Sequence, residues 1–422
     1  MAAALKTVLT VAYAAFGLIG IAIADELGAS RRLDSFHFVS FFGFAYSWGL
    51  YTFLVAAPVG LAFIWLAILY ARQGGARLGL ALTSLGLALL FSHGLVFLLS
   101  LPIGAAIVLV RNPQFRQAAS RSWPFVPPLV MAALIFFVMG RTEPNVSGAL
   151  GARVDMGPAV LRLLRFVCGA FGYPGQLPIV CFILMMAAPF LGGLKMDMRR
   201  RESLVIAVGT IGAAALAPDW LWGVLFVQPR LTLFLPSAWA WLFSESQTPA
   251  PLTGRRLDVV AAATGLLALG PHLVQAVRFA AETRDFTAVL ERAQPGRRAI
   301  GLVLDMHTAT GVDPAVYEYF PSWYQADRHG FVDHSLAAFH TEVVRFRTVP
   351  PVYASGILPF AASHFDWRRD DGGRYDYFFV RSAGSVPARL FAGAPCSPKL
   401  VAEHGEWRLF ERSDCATAAP SP

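Results

Sequence analysis

Long apolar runs separated by arginine clusters fill the first two thirds of this sequence, and they constrain the fold more than any other feature. About 20 consecutive apolar residues let a helix cross a hydrocarbon core of about 30 Å. Inside that core the backbone must satisfy its own hydrogen bonds, so such runs predict helices. Residues 7–24, 47–71, 124–140, 176–194 and 257–279 each read as a span. The run 78–110 is too long for one ordinary span. Ser92-His93-Gly94 interrupts it and Pro102 follows, so it reads as a hairpin of two short helices. Segments 203–218 and 222–244 go out and back, broken at Pro218-Asp219 and Pro229-Arg230. Residues 157–170 carry Arg162 and Arg165 and read as an interfacial or tilted helix. The expected fold class is a mainly α-helical polytopic membrane bundle of about nine membrane segments over residues 1–279, followed by a soluble α/β domain over 280–422. Runs that are short or broken by Pro and Gly are tolerated at membrane depth only when buried in protein or lining a cavity. That favours a compact bundle over a simple anchor.

Charge supports the same division. Only 15% of the residues are charged, where a soluble chain has about 25%. Of 35 Lys+Arg and 27 Asp+Glu, residues 1–279 hold 20 and 10, leaving 15 and 17 for residues 280–422. A basic membrane part beside a near-neutral remainder is the positive-inside bias. The pI of 9.6 is therefore no sign of a nucleic-acid partner, and no basic face with interleaved aromatics occurs in the soluble part. Arg72 and Arg77, then Arg199-Arg200-Arg201, then Arg255-Arg256 mark cytoplasmic ends, which sends residues 280–422 to the other side. Met1–Ala24 reads as an uncleaved first helix, although Ala22-Ile23-Ala24 resembles a peptidase site. Asp25–Tyr46 then reads as an exterior segment whose aromatics, Phe36, Phe38, Phe41, Phe42 and Tyr46, suit the membrane–water interface.

In the soluble domain Ala299–Leu304 reads as a buried strand, His334–Arg345 as a helix and Asp376–Val380 as a second strand. Lys399–Glu403 and Trp407–Glu411 form a hairpin around His404-Gly405-Glu406. Cys396 and Cys415 flank that hairpin and are a candidate disulfide in an oxidising compartment. Cys168 and Cys181, among apolar residues, read as small core residues.

Few residues suggest chemistry. Asp25, Glu26 and Asp34 follow the first span; a carboxylate there serves either as a general base or simply as the acidic end of a helix. His93, inside an apolar run, is a functional residue or a hydrogen-bonded turn histidine. Arg230 would meet a phosphate or snorkel to the interface. With Asp34 and His37 these two complete the candidate substrate contacts. His364-Phe365-Asp366 and Asp305-Met306-His307 are potential ligand pairs, but no spacing matches a zinc motif, so no resident cofactor is expected, a divalent metal remaining open. Asn145-Val146-Ser147 fits a glycosylation acceptor.

Three stretches carry a family resemblance: Phe41–Leu50 with the span that follows and Leu90-Phe91-Ser92-His93; Gly223–Leu233 with Pro229-Arg230; and Gly373–Val380 with Leu400–Phe410. Together they resemble the C-type (GT-C) membrane glycosyltransferases and their bacterial relatives. The resemblance implies transfer of a sugar from a polyprenyl-phosphate donor at the outer face of the inner membrane. It also implies a multi-pass chain with a periplasmic C-terminal domain, and Asp25 or Glu26 as the base. The chain departs from the pattern in one respect: the segment Asp25–Tyr46 is only about 22 residues, shorter than the family's first loop. The second reading is therefore a non-catalytic relative, a scaffold or subunit of an envelope polysaccharide or other membrane assembly, with further membrane subunits as partners.

Overall fold

The computed structural model describes residues 2–142, 154–221, 224–245, 251–306, 308–310, 316–333 and 362–413. The acceptor pattern at Asn145, His307, the expected helix His334–Arg345 and Cys415 lie outside the described residues. The chain divides into two compact units, residues 2–272 and 273–422.

The first unit is helical: α1 (Ala2–Leu27), α2 (Tyr51–Gln73), α3 (Ala76–Ser92), α4 (Gly94–Arg111), α5 (Val126–Thr142), α6 (Ala159–Cys168), α7 (Gln176–Leu191), α8 (Arg201–Leu216) and α9 (Pro251–Glu282), the last continuing into the second unit. Among the described residues five helices are long and apolar enough to cross a membrane: Ala3–Leu27, Tyr51–Gln73, Gly94–Arg111, Phe115–Val138 and Arg256–Leu290. Two shorter apolar helices, α3 and α7, join them, where about nine segments were expected. The run 78–110 is a helical pair broken at His93, whose backbone is extended. The segment 222–244, expected as a span, forms instead, over its described residues 224–244, a broken path through Val227–Leu231, Thr232–Phe234 and Leu235–Ala240.

The largest departure concerns Asp25–Tyr46. It is not a loop between antiparallel spans. Glu26 at the end of α1 pairs with Arg72 at the end of α2 at 2.9 Å, so the two helices run in the same direction. The intervening chain must return through the interior, and it does: Leu33, Phe36, His37, Val39, Ser40, Phe41 and Phe44 are all buried. Two glycines of α1 make room for it. A Cβ on Gly17 would lie 1.9 Å from the Phe38 ring, and one on Gly20 would lie 2.8 Å from the His37 ring. Beyond them the chain climbs α1 by ring contacts, Tyr13 to Phe42 at 5.0 Å, Phe42 to Tyr46 at 4.9 Å and Tyr46 to Tyr51 at 6.1 Å, where α2 begins.

An irregular backbone at this depth needs polar partners inside the protein. The broken path 227–243 supplies them, running antiparallel to the returning segment. The Ser30 N–H donates to the Phe243 carbonyl, Ser40 Oγ donates to the Leu233 carbonyl, and His37 Nδ1 meets Ser237 Oγ at 3.0 Å. The partners thus fall from 243 to 233 as the first segment rises from 30 to 40. Trp241 stacks on His37 and donates from its indole to the Gly20 carbonyl.

The second unit holds a five-stranded mixed sheet of β1 (Arg298–Val303), β2 (Phe331–Val332), β3 (Tyr377–Arg381), β4 (Lys399–His404) and β5 (Trp407–Glu411). Its order is β2-β1-β3-β5-β4, with β1 parallel to both neighbours and the rest antiparallel. The strand and hairpin expectations hold within a residue. Every residue of β3 is buried, because Phe286, Tyr324 and Trp407 cover one face and Phe365, Trp367 and Leu390 the other.

Candidate functional site

The expected site residues separate into two ends of the membrane unit and its centre. Asp25, Glu26 and Asp34 lie together where the C-terminal ends of α1, α2 and α4 meet the start of α8. There Arg31 pairs with Asp25 at 2.5 Å and with Asp34 at 2.7 Å. Arg72 pairs with Glu26, and Glu202, only 8% exposed, lies 3.5 Å from Arg111 and 4.0 Å from Arg72. Arg200 donates to the Gly28 carbonyl and Arg121 to that of Ala71. The acids therefore neutralise the arginine-rich end of the bundle, and the expectation that they face the side opposite Arg72 is corrected. His37 is at the centre, satisfied by Ser237.

The opposite end holds His93 and Arg230. His93 sits at the apex between α3 and α4, its ring edge-on to Phe53 at 5.3 Å, and its buried Nδ1 has no hydrogen-bond partner among the described residues. Arg230 donates to the Leu225 carbonyl at 2.7 Å and stands within electrostatic reach of His93. Its helical turn also presents Val227 and Leu231 to an apolar groove of about 480 Å³ between α4 and α8. Leu98, Pro102, Val205 and Ala213 supply much of the remaining wall. A groove of this size suits a small or extended apolar ligand.

Three residues at this end have roles that the sequence did not assign: Arg162 and Arg165, which it offered as phosphate contacts or snorkelling arginines, and Asp219, which it read only as part of a break. The arginines of α6 do not snorkel; they turn inward while Val160 and Leu163 face outward, 72% and 64% exposed. Arg162 donates to the carbonyls of Ala215 and Ala217, which end α8 without intrahelical partners. Arg165 pairs with Asp219 at 2.5 Å, and the other carboxylate oxygen of Asp219 is buried without a hydrogen-bond partner among the described residues. Asp219 follows Pro218, which lines the groove, and its side chain lies against Arg165 and Gly157. The Pro218-Asp219 dipeptide was legible only as a helix stop, since its partner Arg165 lies 54 residues away.

In the second unit Arg381, 3% exposed at the end of β3, is held by Glu406 and the Asp305 carbonyl, with Glu282 at 3.7 Å and the Tyr317 ring 3.8 Å from its guanidinium carbon. Burial pushes the Tyr375 phenol well above its usual range, and its hydrogen bond to Asp333 adds to the shift. Of the metal-ligand pairs, Asp366 accepts the N–H groups of Arg368 and Arg369 and serves as a turn cap. Among the described residues no three His, Cys, Asp or Glu side chains converge as a metal site. Cys396 is disulfide-bonded, while Cys168 and Cys181 are free and buried. Comparison with protein-family models, curated proteins and solved structures gave no match.

Proposed function

We propose that the membrane unit binds a polyprenyl-phosphate-linked sugar, with the apolar chain in the α4–α8 groove and the phosphate at Arg230. The observation that carries this reading is the groove itself, whose wall includes Val227 and Leu231 of the helical turn that also carries Arg230. Guanidinium groups suit phosphate, because their planar donors match its oxygens. The resemblance to the membrane glycosyltransferases supplies the reaction class. An acceptor hydroxyl attacks the anomeric carbon, the bond from that carbon to the phosphate oxygen breaks, and the polyprenyl phosphate leaves with the bonding pair. Asp219, next in the chain to the groove-lining Pro218, takes the hydroxyl proton. It replaces Asp25 and Glu26 in that role, because those two lie at the arginine-rich end.

The positive-inside bias assigns that arginine-rich end to the cytoplasm of a bacterial inner membrane. The site then opens to the periplasmic face. α9 passes Leu257 beside Gly192 and His272 beside Phe171, so the chain leaves the bundle toward that same face, giving a periplasmic C-terminal unit.

The test is binding of polyprenyl phosphate to the full chain in nanodiscs, followed by native mass spectrometry. Wild type binds; Ala213→Trp, which fills the groove, and Arg230→Gln, which removes the charge, each bind at least tenfold more weakly. Equal binding by all three refutes the reading. The commitment of Asp25 and Glu26 to ion pairs supports a second reading, a non-catalytic subunit of a membrane assembly. Sugar transfer by wild type that is lost in Asp219→Asn decides for the enzyme, and lipid binding without transfer decides for the subunit.

A further inference from the structure

The groove between α4 and α8 has a direction and a length, and both follow from contacts between its walls. Glu202 near the start of α8 lies 3.5 Å from Arg111 at the end of α4, and a Cβ on Gly209 would lie 2.9 Å from the Ile103 side chain. Partners on α4 thus fall from 111 to 103 as α8 rises from 202 to 209, so the two helices run antiparallel. That register brings Ala217, just past the end of α8, opposite Leu95 at the start of α4. The groove keeps to it. Val205, Gly209, Ala213 and Ala217, four residues apart, share one face of α8 and line one wall, and the facing wall runs from Leu95 to Ala106. At about 1.5 Å per residue each wall is about 17 Å long. Three of the four α8 residues carry no more than a methyl group, which leaves the space open along that length.

Each end of this path has a physical cause. At the Ala217 end the helix stops, and Pro218 and Leu221 border the mouth. Arg230 is within electrostatic reach of His93, two residues before Leu95, so its charge stands at this end. At the Val205 end the next turn of α8 carries Glu202, which is buried and paired with Arg111, with Arg72 at 4.0 Å. A hydrocarbon chain cannot solvate those charges, so pressing one against them costs free energy and returns none. An apolar chain entering at the mouth therefore follows the groove as far as Val205 and Ala106 and then turns out into the bilayer. A prenyl unit has four carbons along its chain. Scaled from about 3.5 Å per three-atom residue of extended backbone, it spans about 4.7 Å, so the groove matches about three to four units. The methyl branch on each unit fills the room that Gly209, Ala213 and Ala217 leave, which a straight chain does not. We infer that the groove is a depth-limited prenyl site. It seats the units nearest the phosphate, Gly209 keeps the path open past its midpoint, and every later unit stays in the bilayer. This deepens the lipid-linked reading above and rests on it for the phosphate at Arg230.

The test uses the full chain in nanodiscs with prenyl phosphates that carry one diazirine, on the second, fourth or tenth unit from the phosphate. After photolysis the labelled residues are mapped by mass spectrometry. The second-unit probe is expected on Leu99 and Ala213, the fourth-unit probe on Ala106 and Val205, and the tenth-unit probe on none of these. Gly209→Leu should remove the fourth-unit labels and keep the second-unit ones, which also shows that the variant is folded. Labels that do not deepen with unit number, a groove labelled by the tenth unit, or fourth-unit labels that survive Gly209→Leu overturn the depth limit; the wild-type series decides alone if that variant does not fold. A straight-chain alkyl phosphate with its diazirine at the same depth should label Ala106 and Val205 less. Equal labelling assigns the groove to any lipid tail and overturns the prenyl site. If no prenyl phosphate labels the groove at any position, the lipid-linked reading fails as well.

Discussion

The Glu26–Arg72 ion pair predicts that the ends of α1 and α2 are on one side of the membrane, and this decides where the acidic residues of the first segment lie. α2 has 23 residues, about 34 Å at 1.5 Å per residue, enough to cross a hydrocarbon core of about 30 Å. Antiparallel helices would hold Glu26 and Arg72 apart by that thickness, about tenfold the observed 2.9 Å. The assay places single cysteines in a background with Cys168 and Cys181 replaced, and labels sealed right-side-out vesicles with a membrane-impermeant maleimide. Asp25→Cys and Gln73→Cys should react from one side, Gly49→Cys and Ser92→Cys from the other, since all four positions are exposed. The pair itself is about one third exposed, 29% and 33%, so it contributes no more than about 1 kcal/mol. The charge-swapped double variant Glu26→Arg/Arg72→Glu should therefore fold as wild type does and keep the labelling pattern. Labelling of Asp25→Cys together with Gly49→Cys, and opposite to Gln73→Cys, would refute the returning segment and restore Asp25 and Glu26 as exterior candidates.

Three further outcomes follow from the packing. Arg381→Met should lower stability by about 3 kcal/mol, because three carboxylates lose a buried cation, whereas Arg408→Met, whose partner Glu403 is 46% exposed, should cost under about 1 kcal/mol; thermal unfolding of the full chain separates them. Gly17→Val should cost roughly 2–3 kcal/mol by forcing Phe38 out of its place against α1, seen as a lower melting temperature in detergent, while Gly212→Ala, where a Cβ meets nothing within 4 Å, should be neutral. Arg165→Met should weaken the turn at Pro218-Asp219 by leaving Asp219 without its charge partner; limited proteolysis should then cut near residues 219–226, and unchanged cleavage would count against the pair as an anchor.

The parts legible in sequence are those set by local period and punctuation. Apolar length marked α1, α2 and α9, Ser92-His93-Gly94 marked the break between α3 and α4, and alternation with Gly405 marked the β4–β5 hairpin. The returning segment was illegible for a physical reason. Arg31, Arg32, Asp34 and His37 within a few residues read as solvated loop, and the aromatics beside them read as interface. What makes the segment stable inside the bundle is a set of partners about 200 residues later, Ser237, Leu233 and Phe243, which no window of sequence includes. The same holds for Arg165 and Asp219. Each residue alone looked like an interfacial charge or a helix stop, and only their meeting makes a shielded pair.

This pattern explains why the candidate chemistry moved from one end of the bundle to the other. A carboxylate is informative about catalysis when its charge is not already matched and its surroundings are dry. Asp25 and Glu26 fail on both counts, with arginines at 2.5 and 2.9 Å and partial exposure to solvent. At the far end Asp219 is also paired, with Arg165 at 2.5 Å, but it is less exposed, and its second oxygen is buried without a hydrogen-bond partner among the described residues. Two irregular segments, bound to each other through the bundle's centre, deliver Trp48 and Phe226 to the same place, and Arg165 of α6 holds Asp219, the residue after the groove-lining Pro218. Segments that spend backbone polar groups on each other at membrane depth gain, at their ends, freedom to hold side chains in positions a straight helix cannot reach. The groove wall at Val227 and Leu231 and the Trp48–Phe226 contact therefore depend on the same pair of segments, and a variant that loosens the His37–Ser237 contact, such as Ser237→Val, should disturb both together.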